Sequence, residues 1–360
     1  SNSRIEFIAQ MASTSRNALL SAVAGLPTAD DDSWSVPAPI LKATSTDAAD
    51  AKRHVLAFSS WAQDAVRQLP EVSEHQATDF SDYYKIVMSR VQLVYAQATR
   101  PEGELRFPAC RFQTQLRRRP QFVKDGATRA LGVFDSGAGP ELVGSFEDSH
   151  AAFRAALQAV GERRFHADTL RTLIASRAGG AASIEASLEP VNEAWISLLS
   201  GTQLFELLEE GADFSAGGEA VQVKIELQGG QVVVLAQGPW FRVTFAETSI
   251  LQCMAQFMTE AMQAAGEQDA TGWCRNALMN FAVAANAVQE RVHAPGHGNV
   301  SFFAGRRAPH ADFHLLQHLY LQKLWPAFTT SSLFAGRVLP GCPLIGTSAH
   351  EGPMAMMALE

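Results

Sequence analysis

Residues 221–235 constrain the fold more than any other stretch. Val221, Val223, Ile225 and Leu227 alternate with Gln222, Lys224, Glu226 and Gln228. A period of two puts apolar side chains on one face of a strand and polar ones on the other. Gly229-Gly230 comes next, and glycine accepts the positive φ of a tight turn. Val232, Val233, Val234 and Leu235 form the returning strand. Gly238-Pro239-Trp240 breaks it, and Phe241 to Phe245 resumes an apolar strand-like run. Glu247-Thr248 then opens a helix running to about Ala265, with the acidic residue favoured by the helix dipole.

Beyond the hairpin the rhythm alternates. A long helix is expected over Trp273 to Val292, a short strand over Val300 to Phe303, and a helix over Asp312 to Trp325. Pro326 to Ser332 reads as a loop, Leu333 to Arg337 as a short helix, and Cys342 to Ile345 as a strand. Strand–helix–strand order predicts parallel pairing and an α/β layer or barrel. In such folds sites gather at the C-terminal ends of strands. Upstream, Asp79 to Ala98 reads as a helix, Glu104 to Phe112 as a strand and Gly126 to Gly144 as loop; His150 to Val160 and Glu189 to Glu210 carry helical spacing. Before residue 76, two helices are expected, Ile5 to Leu26 and Asp47 to Leu69, in an extension without evident chemistry.

The chain has 360 residues, too many for one ordinary core, so two domains or a barrel with attachments are expected. Lys and Arg total 29 and Asp and Glu total 37, a net charge of −8. That balance gives no general pull toward nucleic acid or anionic lipid, so an anionic substrate must be caught locally. No uninterrupted apolar run is long enough to span a membrane, and Ser1 to Gln10 lacks the layout of a signal peptide. Cys110, Cys253, Cys274 and Cys342 form no C-x-x-C pair, which predicts reduced thiols in a cytoplasmic protein.

Several segments carry residue types suited to chemistry. Gly346-Thr347-Ser348-Ala349-His350-Glu351 follows a predicted strand. The glycine lets a ligand approach the backbone, and a neutral histidine accepts a proton or a phosphoryl group while a carboxylate orients it. On pattern alone, His350 reads first as a polar surface residue. Phe303 and Arg306 also stand at a strand end, an aromatic face followed by a guanidinium fork for a carboxylate or phosphate; a core Phe beside surface Arg residues fits the same pattern. Thr329-Thr330-Ser331-Ser332 precedes a short helix and reads first as its cap, though the same helix N-terminus can bind an anion. In Asp82-Tyr83-Tyr84-Lys85 the aromatic pair reads first as core. His293-Ala294-Pro295-Gly296-His297 has ligand residue types, but no local acid or cysteine completes a metal site.

Taken in order, these segments resemble the nicotinate phosphoribosyltransferase family, over about Asp79 to Glu351. Asp82, Tyr84, Lys85 and Met88 match its opening helix motif; Gly238-Pro239-Trp240 through Glu247 resembles its strand-and-helix segment. Phe303-Ala304-Gly305-Arg306-Arg307, Thr329-Thr330-Ser331-Ser332 and Gly346, Thr347, Ala349, His350 and Glu351 follow in the family's order. Three of the matches are inexact: Gly305 is displaced by one, the hydroxyl run lacks the family's Gly and Asn, and Gly352-Pro353 follows Glu351 in place of an aromatic.

The resemblance implies an extension over 1–75, an N-terminal α+β domain over 76–247, and the first part of an irregular α/β barrel over 248–360. It implies transfer of phosphoribose from phosphoribosyl pyrophosphate to nicotinate, with ATP hydrolysis and Mg²⁺. Phe303 would stack on the pyridine ring, and Tyr84 from the other subunit of a homodimer would cover its second face. Arg306 would bind the carboxylate, Ser331 would donate to it where nicotinamide-using relatives place an Asp, and His350 would be phosphorylated. The family continues past the equivalent of Glu360 with further barrel strands and a phosphate loop. A truncated chain, a split chain or a second polypeptide supplying the rest are the expectations there. A non-catalytic or split subunit is the alternative function.

Overall fold

The computed structural model describes residues 16–31, 33–98, 109–115, 120–121, 132–133, 146–177, 187–215, 219–228, 231–264, 270–292, 300–303 and 310–346. The chain divides into two compact units, each assembled from separate stretches. One comprises Ser1–Glu71, Met262–Ser301 and Ala308–Phe328; the other comprises Val72–Ala261, Phe302–Arg307 and Thr329–Glu360. These divisions do not follow the sequence-order boundaries at 75/76 and 247/248.

The first unit is helical among its described residues. Residues 16–24, Ala38–Thr44, Ala48–Ala65, Ala270–Val292 and Ala311–Leu324 form its helices. The Ala48–Ala65 helix starts where expected because Asp47 caps it, its carboxylate accepting from Ala49 N at 2.8 Å and Asp50 N at 3.0 Å. Phe58 packs edge-on to Tyr320 with ring centres 4.8 Å apart, and Trp61 lies 4.9 Å from the same ring. Asn286 Nδ2 donates to the buried Tyr320 hydroxyl at 2.7 Å. Residues 16–71, read from sequence as an extension, therefore share one apolar core with the 270–292 and 311–324 helices. Their own Ala-rich sequence left that shared core unannounced.

The second unit mixes helices with small sheets. Its strands are β1 (Ala109–Gln115), β2 (Pro120–Gln121), β3 (Gly132–Val133), β4 (Glu206–Leu207), β5 (Gln222–Gln228), β6 (Gln231–Pro239) and β8 (Thr329–Thr330); β7 (Ser301–Phe302) enters it at Phe302. The main sheet runs β1-β6-β5-β4, antiparallel except for the parallel β4–β5 pair. The expected hairpin is β5–β6, closed by the Gln228–Gln231 pair; Gly229-Gly230 lies outside the described residues. On and just before β5, Val221, Val223 and Ile225 are buried while Gln222, Lys224 and Glu226 are partly exposed, as the alternation predicts. On β6, Val233 through Ala236 are all buried, so this strand is covered on both faces there.

The run Phe241 to Phe245 is not a strand. A helix, Trp240–Ala264, begins immediately after β6, so Glu247 stands about two turns inside it rather than at its start. Phe241, Val243, Thr244, Phe245, Ala246, Thr248, Ser249 and Ile250 are all buried. A helix enclosed on every side loses its one-sided periodicity, and a short apolar run then reads as strand. Gly238 makes the preceding crossing possible: a methyl group there would lie 2.8 Å from Val221 Cα.

Further helices are Tyr83–Ala98, Phe146–Gly161, Ala167–Ala175, Asn192–Leu199 and Leu333–Val338. The helix expected over Glu189 to Glu210 is shorter, since Gly201 takes φ +75° and turns the chain away. The strand expected at Cys342–Ile345 reduces to bridges at Leu344, which pairs parallel with both Thr330 and Arg177. Gly341 turns at φ +68° and Pro343 has no N–H to give, which leaves little ladder to build. The parallel sense of Thr330 and Leu344 across the Leu333–Val338 helix is that predicted from strand–helix–strand order.

Candidate functional site

In the second unit, three segments far apart in sequence meet around Ser331. Ser331 N donates to Phe302 O at 3.1 Å, and Tyr83 N donates to Ser331 O at 2.6 Å. Thr330 Oγ1 also donates to Phe302 O, at 3.2 Å. Thr330 N donates to Pro343 O at 3.0 Å, and Ile345 N to Thr330 O at 2.8 Å. Gly346 follows directly, and a methyl group on it would lie 3.2 Å from Tyr84 N and from Tyr83 Cδ1. The end of β7, the Thr329–Ser332 segment, the Leu344–Gly346 strand end and the first turn of the Tyr83–Ala98 helix thus form one cluster.

The residue types explain why the cluster forms. Ser332 caps the short Leu333–Val338 helix, its Oγ accepting from Ala335 N at 3.2 Å. That cap turns the chain so that Ser331 is extended between two neighbours. Leu333 N donates to Ser81 O at 3.1 Å, and Asp82 and Ser332 form an antiparallel bridge, fastening the 81–83 segment to the cap. Ser331 Oγ donates to Asp82 Oδ1 at 2.7 Å. A buried carboxylate requires such donors.

Each residue named from sequence has a definite standing. Tyr84 is half-buried in the first turn of its helix, against Gly346 of the same chain. Phe303 follows β7 and is 48% exposed, next in sequence to Phe302, whose carbonyl accepts from Ser331. Ser331 is completely buried. A hydroxyl has one proton, and here Asp82 takes it, so Ser331 presents lone pairs rather than the donor expected for a carboxylate. Arg306 and His350 lie outside the described residues. Among the described residues, no group of three or more His, Cys, Asp or Glu is arranged to hold a metal ion.

Two arrangements had no reading in the sequence. Lys85 is fully buried and its Nζ bonds to Glu247 on the Trp240–Ala264 helix. Asp79, also buried, accepts from Arg337 Nε at 2.8 Å and Arg337 Nη2 at 2.7 Å. It further accepts from Gln76 N at 2.9 Å and lies 3.2 Å from His75 Nδ1. Burial alone would raise the Asp79 carboxyl; the His75 and Arg337 bonds outweigh it and hold the group below the usual carboxylate range. Arg163 stacks on Phe80 with its guanidinium carbon 4.5 Å from the ring centre. Burial lowers that guanidinium to about 10. The only sequence signals were the motif matches at Lys85 and Glu247; nothing in the local pattern pointed to Asp79, Arg163 or Arg337.

No protein-family model matches the chain, and no curated protein matches it. Among solved structures, a nicotinate phosphoribosyltransferase from Porphyromonas gingivalis is similar at 15% identity and a TM-score of 0.45, covering 77% of this chain and 54% of that one. A nicotinate phosphoribosyltransferase from Vibrio cholerae is similar at 17% identity and a TM-score of 0.49, covering 82% of this chain and 56% of that one. The chain therefore spans little more than half the length of either structure.

Proposed function

We propose that the chain forms the nicotinate-binding part of a phosphoribosyltransferase that makes nicotinate mononucleotide from nicotinate and phosphoribosyl pyrophosphate, with ATP hydrolysis. The observation that carries this reading is the meeting of Tyr83–Tyr84, Phe302–Phe303, Ser331 and Gly346, four motif segments spread over more than 260 positions, at one strand-end cluster. In this reading Phe303 stacks on one face of a flat pyridine ring and Tyr84 from the other subunit of the homodimer covers the second. Arg306 takes the carboxylate as a planar fork, which the buried, Asp82-bonded Ser331 does not. Acid selectivity then rests on Arg306 rather than on the serine.

The chemistry asks mainly for positioning. The pyridine nitrogen attacks the anomeric carbon while pyrophosphate leaves, and Mg²⁺ arrives with that pyrophosphate. His350 is the residue that accepts the phosphoryl group of ATP. The barrel, of which residues 248–360 would form the first part, the homodimer and a second chain supplying the remaining strands belong to the same proposal. So does a cytoplasmic setting; no helix among the described residues is long and apolar enough to cross a membrane.

A second reading, a binding or regulatory subunit that retains the scaffold without catalysis, is favoured by the complete burial of Ser331 and its commitment to Asp82. The test incubates the chain with nicotinate, phosphoribosyl pyrophosphate, ATP and Mg²⁺, alone and with any co-purifying polypeptide, and follows nicotinate mononucleotide. The enzyme reading expects product, its loss in Arg306→Met, and loss of the ATP-linked stimulation in His350→Ala. Nicotinate binding without product under either condition favours the binding subunit; no binding at all removes both.

A further inference from the structure

The Lys85–Glu247 pair is a buried charge contact beside Tyr84 that the proposed reaction does not use. Neighbouring residues on a helix point about 100° apart and do not face each other. Tyr84 and Lys85 are such neighbours, yet Lys85 Nζ lies 5.0 Å from the centre of the Tyr84 ring. The ammonium is turned back over the ring, and its fully buried position demands a counter-charge. Glu247, two turns inside a helix enclosed by core, provides that charge from a rigid support. The main chain beneath Tyr84 is fixed as well. Lys85 N donates to Asp82 O at 2.9 Å, Tyr83 N to Ser331 O at 2.6 Å, and Gly346 abuts Tyr84 N and Cα. With the backbone fastened, a turn of the ring must displace the ammonium that lies over it.

We propose that Lys85, anchored by Glu247, is a positioning residue that fixes the Tyr84 ring angle and thereby the affinity of the pocket for a flat aromatic acid. The second half of this statement rests on the nicotinate reading; the first does not. Neither residue touches the substrate or the reacting atoms.

The experiment uses the full chain labelled with 3-fluorotyrosine, whose four tyrosines give separable fluorine resonances. Tyr84→Phe and Tyr83→Phe assign two of them, and Tyr320, in the other unit, is the internal reference. Glu247→Gln and Lys85→Met are compared with the charge exchange Lys85→Glu/Glu247→Lys, each checked for folding by circular dichroism. The expected result is a displaced or broadened Tyr84 resonance in both single variants with Tyr320 unmoved. KM for nicotinate rises on the order of ten- to a hundredfold while kcat holds, because ring misplacement weakens positioning. The exchange variant restores part of both. A Tyr84 resonance unchanged in either folded single variant overturns the proposal. If the unsubstituted chain neither binds nor turns over nicotinate, the functional reading falls, and the resonance alone decides the hold of Lys85 on Tyr84.

Discussion

Replacing Arg337 with methionine keeps an unbranched apolar stem and removes the cation. Asp79 then loses two charge-assisted bonds, at 2.8 and 2.7 Å, while remaining buried. Removing one partner of a buried ion pair costs about 3–5 kcal/mol. At about 2–4 °C per kcal/mol for a unit of this size, the melting point falls on the order of 10 °C. Asp79→Asn is milder, because the Arg337 side chain is 19% exposed and water takes over its bonds. The pH dependence gives the reasoning its sharpest check. In the unsubstituted protein the Asp79 carboxyl sits below its usual value, so its stabilising contribution is complete above about pH 4 and is lost as pH falls through the lowered value. In Arg337→Met burial is less opposed, the carboxyl rises, and the variant takes up its proton at a higher pH than the parent. Protonation relieves the buried charge, so the gap in melting temperature is widest at neutral pH and narrows toward pH 4. Calorimetric scans of both proteins from pH 7 to pH 4 measure it. A gap below ~2 °C at pH 7, or one that stays constant on acidification, refutes the assignment of Asp79 as a buried anion held by Arg337.

Gly336→Ala would drive a methyl group to 2.6 Å from Leu344 Cδ2, so overpacking should destabilise by about 1–3 kcal/mol and lower the melting point without altering Tyr84 fluorine shifts. Burial pushes the Cys274 and Cys342 thiols up to about 12, so neither should react with iodoacetamide at pH 8 in the folded chain; peptide mapping that finds either alkylated before unfolding contradicts this.

How much was legible in sequence depended on distance along the chain. The β5–β6 register, the Asp47 cap and the Ala311–Leu324 helix are written in residues a few positions apart, and local periodicity exposes them. The enclosed start of the Trp240–Ala264 helix was misread because burial on all sides erases the period that distinguishes helix from strand. In the candidate site, the segments of Tyr84, Ser331 and Gly346 were visible as residue patterns, their joint role came only through the resemblance, and the structure brings the segments together. The Asp79–Arg337 bond joins residues 258 positions apart. No local pattern encodes such a pair, since a lone Asp and a lone Arg look like solvated surface until the fold removes the water. The diversion of the Ser331 proton to Asp82 belongs to the same class: residue type allowed donation, but the partner was decided by three-dimensional neighbours.

The interleaved division of the chain governs how it can be made and cut. The backbone passes between the units after residues 71, 261, 301, 307 and 328. No single scission releases either unit whole, and any contiguous fragment that contains all of one unit also carries much of the other. During synthesis the helical unit lacks its closing helix until Phe328 has left the ribosome, so the apolar faces of residues 16–71 wait for partners made about 200 or more positions later.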